Sequence, residues 1–343
     1  MSDEKDNAYL WDGSGDPDPE IARLEETLGR LRHRGVPPVL PKRERVPTRR
    51  VLPFTRFKTT AIVAMAASVV LIASAIWLVF TLRRASWDVA QLAGAPVVDG
   101  RAVTARSRLG IGGWLVTDAA SRARLAVGHI GQVDVDPNTR VQLIEARGRE
   151  HRMSLERGTI HARIWAPPKF FFVNTPAATA IDLGCAYTLQ VADDGSGLLR
   201  VTHGWVGFER DGREAYIPQG AVCATRPGIG PGTPRYEDAP SGYGEALTLL
   251  DFGPADAPGR APALSLVISQ ARRRDALTLW HLLTRGTPDE RSQVYERLAA
   301  LAPPPDGVTR ELALAGDRTA LNLWWDSLGL ETGTWWRFFK KKW

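Results

Sequence analysis

Gly131-Gln-Val-Asp-Val-Asp-Pro-Asn-Thr-Arg-Val-Gln-Leu-Ile144 is the stretch on which the architecture of this chain turns. Apolar and polar residues alternate on both sides of Asp136-Pro137-Asn138, the pattern of two half-buried strands around a turn. The expectation is a β-hairpin, 131–135 against 140–144. The same texture runs from Trp87 to about Ala224, with turn residues roughly every eight to twelve positions. It predicts strands at Thr159–Trp165, Lys169–Val173, Ala180–Val191, Leu198–Phe208 and Glu214–Ile217. Ala180–Val191 and Leu198–Phe208 should form a second hairpin through Asp193-Asp194-Gly195-Ser196-Gly197. The fold class is therefore mainly β, an antiparallel sandwich or roll over residues 83–250. Trp114, Trp165 and Trp205 are expected to anchor its core.

Upstream, Thr59–Leu82 contains no charged residue. A helix of that length spans about 36 Å, enough to cross a hydrocarbon core of about 30 Å with some tilt. Trp77 and Phe80 sit near its far end, where interfacial aromatics belong. The run begins too far into the chain, and is too long, for a signal peptide. Charge is strongly uneven around it. Residues 1–29 carry two basic and nine acidic side chains, whereas 30–58 carry ten basic and one acidic. Lys42, Arg43, Arg45, Arg49, Arg50, Arg56 and Lys58 precede the span, and only Arg83, Arg84 and Arg101 follow closely. The basic flank stays inside, so 1–58 should be cytoplasmic and 83–343 outside. A basic block in that position meets anionic lipid headgroups, so no nucleic-acid partner is expected.

Within the inside segment, Asp16-Pro17-Asp18-Pro19 signals a helix start. Ile21, Leu24, Leu28 and Leu31 then recur at helical spacing, giving a short helix within 1–35 that could dock a cytoplasmic protein or remain a tail without a specific role. Residues 36–58, rich in proline and arginine, read as an extended linker.

Downstream, 251–261 reads as a second linker and 262–330 as a small α-helical module. Arg274–Arg285 stops at Gly286, and Thr287-Pro288-Asp289-Glu290 is a capping box that opens a helix carrying Val294, Leu298 and Leu301. Asp306 and Asp317 are expected to cap two more helices. Two helical hairpins in succession resemble HEAT-like repeats. The tail 331–343 combines Trp335, Trp336, Phe338, Phe339 and Trp343 with Arg337 and three lysines. It reads as a membrane-surface or cell-wall anchor on the outer side, as a tail packed on the helices, or as a disordered end.

No arrangement of catalytic residues emerges. His129, His151, His161 and His203 lack metal-ligand spacing, there is no G-x-S-x-G elbow, and the Gly/Pro-rich 226–234 stretch has no Walker lysine. Neither enzyme, metal nor cofactor is expected. Cys185 and Cys223, the two cysteines, both fall on outside strands or strand edges, so they form either a disulfide or two buried thiols.

The β-region resembles the FecR-type periplasmic sensor and anti-sigma regulators. Thr175-Pro176-Ala177-Ala178 followed by Leu183-Gly184-Cys185-Ala186-Tyr187 resembles the family's Thr-Pro-x-Ala segment and its Arg-Gly-Thr-x-Phe strand, with Leu183, Cys185 and Tyr187 in place of Arg, Thr and Phe. Leu155–Gly158, Leu199–Val206 and Ile217–Gly220 resemble its flanking strands and turn. The resemblance covers about 110–225 and marks Thr175, Pro176, Gly184 and Tyr187 as motif positions of a divergent branch. It implies a single-pass protein of the bacterial inner membrane. Its outer β-domain would sense an envelope protein or ligand, and its inner segment would engage an extracytoplasmic-function sigma factor. The other implied role is an envelope binding or scaffold protein with no sigma-factor partner.

Overall fold

The structure, a computed structural model, describes residues 19–29, 70–74, 86–104 and 107–330. The chain divides into two units, Met1–Ala66 and Ala67–Trp343. In the first, α1 (Pro19–Gly29) begins with proline and carries Glu20 in its first turn, both favourable at a helix N-terminus. It buries none of its residues: Leu24 and Leu28 are 61% and 59% exposed, and Ile21 is half-buried. Leu31 lies outside the described residues. Of the uncharged 59–82 run only residues 70–74 are described; they are helical, and Val70, Leu71 and Ile72 are exposed. No helix among the described residues is long and apolar enough to cross a membrane. The 36–58 linker and the 331–343 tail, with Trp335, Trp336, Phe338, Phe339 and Trp343, also lie outside the described residues.

The second unit is built on strands β1 (Ser86–Ala93), β2 (Val97–Val98), β3 (Arg101–Ala102), β4 (Arg108–Gly110), β5 (Trp114–Val116), β6 (Arg122–Val127), β7 (Gly131–Val135), β8 (Arg140–Arg147), β9 (Glu150–Ile164), β10 (Phe171–Asn174), β11 (Thr179–Asp182), β12 (Ala186–Val191), β13 (Gly197–His203), β14 (Trp205–Arg210), β15 (Arg213–Pro218), β16 (Ala221–Arg226), β17 (Gly230–Pro231) and β18 (Arg235–Tyr236). They run as one continuous sheet folded into a half-barrel. One ladder reads β4-β1-β6-β7-β9-β12-β13-β16, the other β2-β5-β8-β9-β10-β11-β14-β15. The long strand β9 belongs to both. Its pairing with β10 is parallel, an exception to the expected antiparallel arrangement.

The hairpin expected at 131–144 is not formed. β7 and β8 do not pair with each other; they lie end to end along β9, Gly131–Val135 against 164–160 and Arg140–Arg147 against 157–150. The chain reverses instead between Arg147 and Glu150, at Gly148, whose φ is 57°. Asp136–Asn138 is the corner where one long hairpin, 131–164, folds from one ladder to the other. Across that corner Thr139 Oγ1 accepts the Thr159 N–H at 2.9 Å, and β9 turns at Gly158, with φ 97°. Alternation specifies that each strand has one buried face. It is silent on whether the intervening turn reverses the chain or bends it.

The second expected hairpin is present, and it too is folded. β12 pairs with β13 and β11 with β14 in nearly one register, but the two halves lie in different ladders. The corner falls at Gly184, φ 87°, opposite Gly204, φ 69°. A Cβ on Gly204 would run into the Gly184 carbonyl and Cys185, so only glycine fits there.

The inward residues of both ladders form a shared core that includes Leu109, Leu115, Leu125, Leu143, Leu155, Ile160, Leu189 and Phe208. Each such side chain, fully buried, contributes about 1.5–3 kcal/mol. The tryptophan that anchors the β-core is Trp87, 1% exposed. Trp114 and Trp205 are half-buried, and Trp165 is 66% exposed. Trp165 follows the buried Ile164 at the end of β9, so strand parity turns its ring outward while its N–H donates to His129 O at 3.0 Å.

Helices follow: α2 (Tyr243–Phe252), α3 (Arg260–Gln270), α4 (Ala276–Leu283), α5 (Pro288–Leu301), α6 (Arg310–Ala315) and α7 (Arg318–Ser327). The helical region thus starts at Tyr243, earlier than 262, and α2 and α3 frame the stretch read as a linker. The capping box at Thr287 and Glu290 is formed, and Asp317 caps α7 through the Ala320 N–H at 2.8 Å. Thr309, rather than Asp306, caps α6. It directly precedes Arg310, so its hydroxyl reaches the Leu312 N–H, as an N-cap must.

Candidate functional site

An antiparallel sheet leaves unpaired N–H and C=O groups along its last strand, and these must be covered. β15 is such a strand: β14 occupies one side, and helical side chains occupy the other. Tyr216 N–H donates to His281 Nε2 at 3.1 Å, Arg285 donates to Glu214 O, and Pro218 has no N–H to satisfy. Thr278 adds a hydrogen bond to Pro234 O at 2.8 Å. His281 Nδ1 lies 2.8 Å from Leu277 O, so that nitrogen carries the proton and Nε2 is free to accept.

Behind this seam the rings of Trp205 and Tyr216 on the sheet meet Trp280, His281 and Trp325 on the helices, with centroids 4.7 to 6.2 Å apart. Asp251, at the end of α2, closes the other side. It accepts from the Thr233 N–H and hydroxyl and from Arg213, and Arg285 approaches it at 3.6 Å. Burial holds the Arg285 guanidinium below its ordinary pKa range, with Asp251 opposing that effect.

Where the helices lean away from the outer face of β11, β14 and β15, a cleft of about 1050 Å³ opens. That is at the upper end of small-molecule sites, about 300–1,000 Å³. Ile181, Leu183 and Gly207 contribute to its apolar sheet side, and Trp280 and Leu321 to its helical side. Arg291 and Arg318 stand on the helical side, and Glu209 on the sheet side.

The motif residues flank β11, Thr175 and Pro176 in the turn before it and Gly184 and Tyr187 at and after the folded corner that follows it. Thr175 Oγ1 accepts the Ala178 N–H at 3.0 Å and donates to Ala178 O at 2.7 Å, closing the β10–β11 turn. Pro176 O accepts from Arg210 at 2.7 Å. Gly184 N–H donates to Asp182 Oδ1 at 2.7 Å, and the Cys185 thiol donates to Asp182 Oδ2 at 2.7 Å. Tyr187 is buried, its hydroxyl has no partner among the described residues, and burial pushes its pKa well above the usual range. Asp182 is 1% exposed, and burial raises its pKa to about 7 against the opposing pull of its hydrogen bonds. Only the pattern Asp182-Leu183-Gly184, a side chain set to bond the backbone two residues on, signals this carboxylate in the sequence.

A carboxyl titrating near 7 in the fold and near 3.9 in the unfolded chain favours the fold most below pH 4. That advantage is lost as the pH rises from about 4 through about 7. D182N should remove most of this dependence, because the amide does not titrate; its single oxygen still accepts the Gly184 N–H, and its NH2 replaces the oxygen that accepts from Cys185. The melting temperature of D182N relative to wild type should rise between pH 5 and pH 8; a constant difference would contradict a buried protonated Asp182.

The two cysteines are free, buried thiols. Leu199 of β13 pairs with both Leu189 and Cys223, so Cys223 stands two strands from β12 and four residues further along than Cys185. That is about 9–10 Å across and about 13 Å along the sheet. A disulfide requires Cα atoms within about 7 Å. Burial pushes the Cys223 thiol up to about 12. Among the described residues no group of three or more His, Cys, Asp or Glu could hold a metal ion.

Residues 114–207 match the family model described as FecR protein. That span runs from β5 to the middle of β14, through both folded corners, and ends before the helices. No curated protein matches the chain. Among solved structures, the chain is similar to a "putative anti-sigma factor" from Parabacteroides distasonis ATCC 8503, solved at 1.65 Å. The identity is 16% over 37% of this chain and 60% of that one, with a TM-score of 0.32. A second structure with the same description, at 2.50 Å, shows 15% identity over 40% and 64%, with a TM-score of 0.32. The chain thus spans about 60% of the length of the solved structures it matches. The FecR match thus coincides with the folded double-hairpin segment 114–207.

Proposed function

We propose that this chain is a single-pass regulator of the bacterial inner membrane. Residues 83–343 face the envelope, 59–82 cross the bilayer, and 1–58 engage a cytoplasmic partner, an extracytoplasmic-function sigma factor. The FecR match at 114–207 carries this reading. Two features support it: the uncharged 59–82 run with its basic inner flank, and the exposed apolar stripe of α1. An outer event reaches the cell interior by changing the exposure or stability of the inner segment, since one helix conveys little else.

The test uses the full-length tagged protein in its own membrane. A sigma factor should co-purify with wild type. L24E/L28E, which places charges on the exposed stripe, should reduce recovery at least tenfold at unchanged protein level. Recovery of no sigma factor, with no transcript change on deletion, would favour the envelope scaffold. A reporter fused after Trp343 that is active only in the cytosol would overturn the orientation.

A further inference from the structure

The cleft between the FecR-type sheet and the helices has an uneven charge balance. Arg213 and Arg285 share one carboxylate, Asp251. Arg291 donates to two backbone carbonyls, Gly286 O and Leu314 O, at 2.9 and 3.0 Å, and has no carboxylate partner among the described residues. Arg318 is exposed on the rim, with no partner among the described residues. On the acidic side stand Glu209, Asp211, which Arg210 hydrogen-bonds, and Glu214, which the Tyr216 hydroxyl hydrogen-bonds; these three carboxylates face five lining cations, Lys169, Arg213, Arg285, Arg291 and Arg318. A guanidinium without a carboxylate, at the mouth of a low-dielectric cleft, favours an incoming anion.

The floor is apolar, and it is open because of one residue. Gly207 lies between Ile181 of β11 and Tyr216 of β15 in the sheet register. A Cβ there would meet only Ile181, at an ordinary 3.8 Å. A side chain at this position would therefore be tolerated by the strand, yet would fill the floor.

We propose that this cleft binds an organic anion with an apolar or aromatic body. The anionic group meets Arg318 and Arg291, and the body lies over Gly207 and Ile181 against Trp280. Carboxylate and phosphate share this chemistry. A ligand so placed touches the sheet on one side and α4 and α7 on the other, and holds the two together. The assignment supplies a ligand class for the envelope-sensing reading and rests on that reading only for its consequence.

Binding is measured by calorimetry on the full-length protein in lipid nanodiscs, with no sigma factor present, so the two proposals fail separately. The probes are N-acetylphenylalanine, phenyl phosphate and the neutral N-acetylphenylalanine amide. At least one anionic probe should bind saturably, about tenfold tighter than the amide and more weakly as salt is raised. R318Q should weaken the anion about tenfold and leave the amide unchanged. G207V should weaken both. Whichever anionic probe binds tighter identifies the group that the cations select. No saturable binding of either anion below about 10 mM, equal binding of the amide, or an R318Q variant that binds like wild type would each overturn the assignment.

Discussion

Replacing Trp325 with alanine is expected to cost about 3–5 kcal/mol, the range for removing a buried tryptophan. The residue is 5% exposed. Its ring meets Trp205 and Tyr216 on the sheet, and Trp280 and His281 on α4. The loss would spread beyond the cavity. His281 is held between Trp280 and Trp325, and it is the acceptor for the Tyr216 N–H on the strand edge. Without Trp325 that edge reopens, and an open edge pairs with other chains. Urea denaturation should show the lower midpoint, and limited proteolysis should cut first between Tyr236 and Tyr243. W325F, which keeps a ring in place, should recover most of the loss. A cost below about 1 kcal/mol would mean that the helices and sheet are joined elsewhere.

The second large effect is expected at Gly158. With φ 97°, this residue lies where side chains are strained, and a Cβ would drive into Thr139 across the folded corner. Gly212 provides a matched control: its φ is 80°, and nothing lies within 4 Å of an added Cβ. G212A should lose only the backbone strain, about 1–3 kcal/mol. G158A should lose that and a further 1–3 kcal/mol or so for the overlap, and the Thr139–Thr159 hydrogen bond with it. The difference between the two urea midpoints isolates the corner. Equal midpoints would show that the long hairpin tolerates a looser fold there than the packing implies.

Both predictions concern features that strand alternation alone did not reveal. The strands at 131–135, 140–144 and 180–191 are legible because apolar residues recur with period two wherever one face is buried, although β8 runs on to Arg147 and 180–191 is divided into β11 and β12. The hairpin at 180–208 was legible because the turn 193–197 reverses the chain with aspartate, serine and glycine. The fold-over of that hairpin at Gly184 and Gly204 was not, since a strand that changes sheets keeps its alternation through the bend. At Asp136–Asn138 the same ambiguity led to the wrong topology: turn chemistry marks a change of direction without giving its angle. Among the helices, Thr287-Pro288-Asp289-Glu290 and Asp317 announced themselves because capping is local. α2 and α3 did not, because the glycines and prolines around 253–262 resemble a linker whether or not helices flank it.

The cleft shows the same division. Its residues come from β11, β14, β15, α4, α5 and α7, which span more than a hundred positions. No local spacing relates Gly207 to Arg318.

Local periodicity and turn chemistry were enough to establish a mainly β region, its strands from β7 to β15 and two helix caps, because each depends on neighbours a few residues apart, while the FecR likeness rests on motif residues. Which turns bend rather than reverse, which sheet edge is left open, and which helix covers it depend on contacts between distant segments. Those contacts decided the two corners, the sealing of β15 by His281 and Arg285, the separation of Cys185 from Cys223, and the cleft.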